Sequence, residues 1–108
     1  MATKQSTTDY LLDQLHSVKD IRARKMFGEY ALYAEGTVVG FVCDDELLVK
    51  ITEVGKKFVG KNYKEGRPYP GAKAYMLIEA DLLENREFLS ELILITAKAL
   101  PKPKLKKQ

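Results

Sequence analysis

Arg24-Lys25-Met26-Phe27-Gly28-Glu29-Tyr30-Ala31-Leu32-Tyr33-Ala34-Glu35-Gly36 decides the fold. A short basic strand runs into a glycine. A second strand follows, with Tyr30, Leu32 and Ala34 on one face and Ala31 and Tyr33 on the other. Glu35-Gly36 then fits a tight hairpin turn, where glycine takes positive φ without steric penalty.

Working outward, Ile21–Met26 and Glu29–Ala34 read as strands. Residues 37–43 follow, rich in β-formers, then the Asp44-Asp45 turn and a strand over 47–51. Two-residue connections join only antiparallel neighbours, so this is a meander. Before it, residues 8–18 carry Leu11, Leu15 and Val18 at helical spacing, with Ser6, Thr7 and Asp9 as start signals. His16 sits at the edge of that stripe as a partly covered structural histidine. Residues 53–60 read as a short helix with Val54, Phe58 and Val59 inward. Residues 62–71 are turn-rich, a loop running into an edge strand, and 73–78 form the last strand. A turn of helix fits 81–84. Asn85 caps a final helix that Pro101 stops, with Phe88, Leu92, Ile95 and Ala99 as its stripe and Leu89 and Ile93 widening it. The expected fold is α+β: helix, β-meander, helix, strand, helix, with the helices packed on a single antiparallel-rich sheet.

The 108 residues form one domain, expected over 1–100. No apolar run approaches the roughly 18 residues a membrane span needs, and Met1 to Thr8 lack the apolar centre of a signal peptide. A cytoplasmic protein follows as the expectation. The net charge of +3 is unevenly placed. Lys98, Lys102, Lys104, Lys106 and Lys107 sit at the end of the chain; without these 5 lysines the body holds 13 basic groups against 15 acidic ones. Within it, residues 47–78 carry 7 basic groups against 2 acids, and residues 79–97 carry 5 acids against Arg86. Such a division steers a partner or a second subunit, or is solvated surface. The Lys/Pro stretch 101–108 has no apolar face to bury and is predicted to be disordered. Leu92, Leu94 and Ile95 belong to a turn that is apolar all round, and this marks them as candidate contacts in a homodimer.

Catalytic chemistry finds little support. Cys43 and His16 are the sole nucleophile–base pair to weigh, and Cys43 lies in a β-rich run where a free cysteine is a small core side chain. Asp44, Asp45 and Glu46 lack the spacing of a calcium loop, and the glycines match no phosphate-binding pattern. No metal, cofactor or catalytic residue is expected. For the Met-Phe-Gly element, one reading has Met26 and Phe27 filling the core. The other makes Arg24, Lys25, Phe27, Gly28, Glu29 and Tyr30 a partner-docking edge. Arg22, Arg24, Lys50 and Lys73, with Lys102, Lys104, Lys106 and Lys107, are candidate nucleic-acid contacts of weak, salt-sensitive character.

The combination of Arg24-Lys25-Met26-Phe27-Gly28, Tyr30-Ala31-Leu32-Tyr33, Asp44-Asp45-Glu46-Leu47-Leu48-Val49-Lys50 and Pro68-Tyr69-Pro70-Gly71-Ala72-Lys73 resembles the N-terminal domain of the TfoX/Sxy competence regulators over about residues 8–100. Glu29 and Ala31 stand where that family often has glycine. The chain looks most like short, stand-alone members with a Lys/Pro tail. The resemblance implies an α+β fold, no enzyme activity, and a regulatory or adaptor role exercised on a protein partner, by analogy a transcription regulator. The main rival is a nucleic-acid-binding accessory protein. A small-molecule sensor with a pocket between sheet and final helix comes third.

Overall fold

The computed structural model describes residues 3–101. Its elements are α1 (Gln5–Gln14), β1 (Ile21–Met26), β2 (Glu29–Ala34), β3 (Thr37–Cys43), β4 (Glu46–Val49), α2 (Glu53–Val59), β5 (Glu65–Gly66), β6 (Tyr75–Ile78), α3 (Ala80–Leu83) and α4 (Arg86–Ala99). The strands form a 6-stranded sheet in the order β1-β2-β3-β4-β6-β5. Every pairing is antiparallel. The fold is α+β, as expected, and the Lys/Pro stretch from Lys102 on lies outside the described residues.

Three two-residue hairpins build the meander. Pairing of Met26 with Glu29, Ala34 with Thr37 and Cys43 with Glu46 leaves Phe27–Gly28, Glu35–Gly36 and Asp44–Asp45 at the tips. All six tip residues have positive φ, the requirement of the type I′ turn whose twist matches paired strands.

One sheet face carries the helices. Leu11 and Leu15 from the α1 region, Val59 from α2, and Leu89, Leu92 and Ile93 from α4 pack there against inward residues such as Tyr30 and Leu32. Asn85 caps α4 by accepting from the Phe88 amide at 3.0 Å, and Thr52 caps α2 by accepting from the Gly55 amide at 3.0 Å.

Four details depart from the sequence reading. Helix α1 begins at Gln5, three residues early, and ends at Gln14. Its cap comes from a turn distant in sequence: Asp45 Oδ1 accepts from the Lys4 amide at 2.9 Å and the Thr7 hydroxyl at 2.8 Å. His16 is exposed beyond the helix end, its Nδ1 2.9 Å from the Asp13 carbonyl oxygen. In α2, Gly55 and Val59 are buried, Val54 faces outward, and Phe58 is partly exposed with its ring stacked on Phe88 of α4 at 5.0 Å between centroids. A Cβ on residue 55 would lie 2.9 Å from Thr52 Oγ1, so glycine lets this turn approach closely. In α4 the inward stripe is Leu89, Leu92, Ile93, Thr96 and Ala97, and Ala99 is exposed. Leu92 is therefore no dimer contact: it is 0% exposed in the core. Leu94 and Ile95 are half-buried.

Candidate functional site: an aromatic groove on the open sheet face

The strand register assigns the second face of the sheet. Arg22 lies opposite Tyr33, Arg24 opposite Ala31, and Met26 opposite Glu29; Phe41 lies opposite Leu48, which lies opposite Leu77. Cys43, Leu48 and Tyr75 make a small buried cluster there, with Phe41 and Leu77 packed on it. Among the described residues, none of the helix side chains in the main core reaches this cluster.

Part of this face is covered by the loop between β5 and β6. Its tip is a type II turn. Pro70 and Gly71 are the central residues, Gly71 has φ +91°, and the Ala72 amide donates to the Tyr69 carbonyl at 3.1 Å. The Arg67 guanidinium donates to the Ala72 carbonyl and braces the turn from within. Tyr69 is thereby held out at 64% exposure. Beneath it, Phe41 and Tyr75 meet edge to face, centroids 5.5 Å apart at 87°, and Lys73 Nζ sits 5.8 Å from the Tyr75 ring centre. Burial pushes the Tyr75 phenol above its ordinary range, helped by Tyr69 and Cys43 nearby.

Across from this loop stands the β1–β2 turn. Phe27 is 99% exposed, with φ +51°. Both properties run against folding. A left-handed conformation costs a side chain that carries Cβ roughly 1–2 kcal/mol, and a ring in water returns nothing for it. The turn imposes the positive φ, as it does on Glu35 and Asp44 in the other two hairpins, and Phe27 is the one large apolar side chain among them. Between turn and loop lies a cavity of about 550 Å³, whose apolar walls come from Met26, Phe27, Phe41, Pro68, Tyr69 and Tyr75. Glu29, Cys43, Ala72 and Lys73 complete the lining.

The turn carrying Phe27 is bolted to the N-terminal segment. The Thr3 amide donates to the Gly28 carbonyl at 3.0 Å. The Glu29 carboxylate accepts from the Thr3 hydroxyl and from the Asp44 amide at 3.0 Å. The Tyr30 hydroxyl donates to Gln5 Oε1 at 3.1 Å. These bonds correct the docking edge read from the sequence. Tyr30 is 6% exposed and belongs to the core, and Glu29 is half-buried and serves the turn. Gly28 supplies φ +81°. Of that edge, Phe27, Arg24 and Lys25 are exposed, with Arg24 on the open face and Lys25 on the side of Tyr30. Met26 and Phe27 do not fill the core.

The proposed basic set is dispersed. Arg22 and Arg24 line a second cavity, of about 520 Å³, beside Tyr33, and Arg22 is tied to Asp20 at 2.7 Å. Lys73 stands across the groove, and Lys50, half-buried after β4, donates its amide to the Val39 carbonyl at 2.8 Å. Lys102, Lys104, Lys106 and Lys107 lie outside the described residues. Cys43 and His16 do not form a pair: Cys43 faces the open side, and α1 lies on the other. Burial pushes the Cys43 thiol up, with Glu29 and Asp44 adding to the shift, which holds it protonated. Among the described residues no group of three or more His, Cys, Asp and Glu side chains is placed to hold a metal ion. No described helix is long and apolar enough to cross a membrane.

The sequence reading missed Tyr69, Phe41 and Tyr75 as parts of one groove. The Pro-Tyr-Pro-Gly run signals a type II turn, and a turn with an aromatic at its first position is a way to present that ring.

Residues 13–100 match the model of the TfoX N-terminal domain, which is associated with competence regulation. The chain is 43% identical over 107 residues to an uncharacterized 12.7 kDa protein in the trpE 5′ region of Spirochaeta aurantia, covering 99% of this chain and 91% of that one. A match over most of the chain, with a relative of the same size, settles the kinship: the chain belongs to the TfoX N-terminal domain family.

Proposed function

We propose that this protein is a non-catalytic docking module that acts in regulation by binding another protein through the aromatic groove. The observation that carries the reading is Phe27, fully exposed in a left-handed conformation at the groove's mouth. Large aromatic side chains set around a concavity are the usual anchors of protein contacts. Lys73 is the exposed cation in the groove lining, while the acid there, Glu29, is occupied by hydrogen bonds to Thr3 and Asp44. The charge left to a ligand is positive, so the occupant is a protein segment with apolar anchors flanked by acids. Competence-type control of transcription enters from the family alone, and a transcription regulator is the partner it favours.

Nucleic acid is the second reading, favoured by Arg22, Arg24 and Tyr33 around one cavity. Affinity capture from the native host separates the two. Wild type and Phe27→Asn serve as baits, with and without nuclease. The docking reading expects a protein that survives nuclease and is lost with Phe27→Asn. Material that vanishes with nuclease and is indifferent to residue 27 overturns it.

A further inference from the structure

Strand β1 is an edge of the sheet, and it is three times the length of the opposite edge, β5. The two-residue Phe27–Gly28 turn makes Met26 and Glu29 a hydrogen-bonded pair. The same alternation has Arg24 and Arg22 bonded to β2, and it continues in the Glu35 amide, which donates to the Asp20 carbonyl at 3.3 Å. The N–H and C=O groups of Lys25 and Ala23 therefore point away from the sheet, and among the described residues no hydrogen bond takes them up. A free edge of this length is a template for an added strand.

Its side chains select what is added. Arg22, Arg24 and Lys25 are exposed, and β1 holds no acid. A second copy of β1 would set these like charges against each other, which disfavours self-pairing. An acidic strand meets the opposite situation. On the open face its carboxylates reach Arg24, where the cavity of about 520 Å³ gives them room, and compete with Asp20, which lines the same cavity, for Arg22. On the helix face its alternate residues continue the half-buried row of Ile21 and Ala23, which packs against the main core. The incoming strand should therefore alternate acid with apolar side chains.

We propose that the β1 edge binds an extended protein segment of alternating acidic and apolar residues by strand addition. This extends the docking reading to a second surface and does not depend on the groove.

The test uses the full chain and a capped synthetic peptide alternating glutamate with valine, with a lysine–valine peptide as its counterpart. Amide hydrogen exchange and chemical shifts are read by NMR. The glutamate–valine peptide should slow exchange at Ala23 and Lys25 and leave Tyr69 unchanged. Ala23→Pro removes an edge donor while sparing the ladder to β2, and should weaken binding by about tenfold or more. Should that variant fold poorly, the exposed triple change Arg22→Glu, Arg24→Glu, Lys25→Glu takes its place, and should switch the preference to the lysine–valine peptide. Phe27→Asn should bind the glutamate–valine peptide as wild type does, which separates this surface from the groove. No binding, equal binding of both peptides, or shifts centred on Tyr69 and Phe41 would overturn the proposal.

Discussion

The Thr3 amide donates to the carbonyl of Gly28 at 3.0 Å. Through this bond the N-terminal segment holds the turn whose tip is Phe27, and the same residue's hydroxyl reaches the Glu29 carboxylate. A ring that points wholly into water is thus mounted on an anchored base, the arrangement expected of a preorganised contact.

Phe27 should be an unfavourable residue for the fold. Asparagine accepts the left-handed conformation of a type I′ turn and suits its first position. Phe27→Asn is expected to raise stability by about 1 kcal/mol, seen as a higher urea midpoint, while partner binding falls. A loss of stability would mean that the ring packs in solution.

Asp45 links stability to pH. Its carboxyl is held below the usual aspartate range by the Lys4 amide and then by the Thr7 hydroxyl. The unfolded chain takes up this proton at higher pH than the folded one. The contribution is full above the ordinary value of about 3.9 and is lost as pH falls through the lower folded value. Urea midpoints of Asp45→Asn should show a shallower acid decline than wild type over that window.

Core and surface positions of α4 should separate cleanly. Leu92→Ala is expected to cost about 2–5 kcal/mol. Ile95→Ala, at a half-buried site, should cost about 1 kcal/mol. Equal costs, or a Leu92→Ala chain that folds normally but changes its oligomeric state, would return Leu92 to the surface.

Cys43 should label slowly with iodoacetamide at neutral pH in the folded protein and quickly once unfolded, because burial beside Glu29 and Asp44 disfavours the thiolate. Fast labelling of the native chain would reopen a nucleophilic role.

The meander was legible because its cues are local: alternation along 29–34, glycine at 28 and 36, and the Asp44-Asp45 pair. The α1 start was not, since its capping carboxylate comes from Asp45, on another hairpin. In α4 a turn apolar all round leaves the helix rotation open, and packing chose Leu89, Leu92 and Ile93 over Ile95 and Ala99. The groove was hidden for a different reason. Hydropathy places Met26 and Phe27 inside, but a two-residue turn between Met26 and Glu29 puts position 27 at an exposed tip. Alternation puts Tyr30 on one face with Leu32 and Ala34, yet local sequence does not say which face the helices cover.

The central claim rests on residue 27, and photo-crosslinking from that position tests it most directly. A photoreactive phenylalanine analogue at position 27, with one at exposed Glu91 on α4 as control, is irradiated in the native host after nuclease treatment, and crosslinked peptides are mapped. The account expects a protein crosslink specific to position 27, falling on a segment with apolar anchors and neighbouring acids. Crosslinks equal at both positions, or none from position 27, would contradict it.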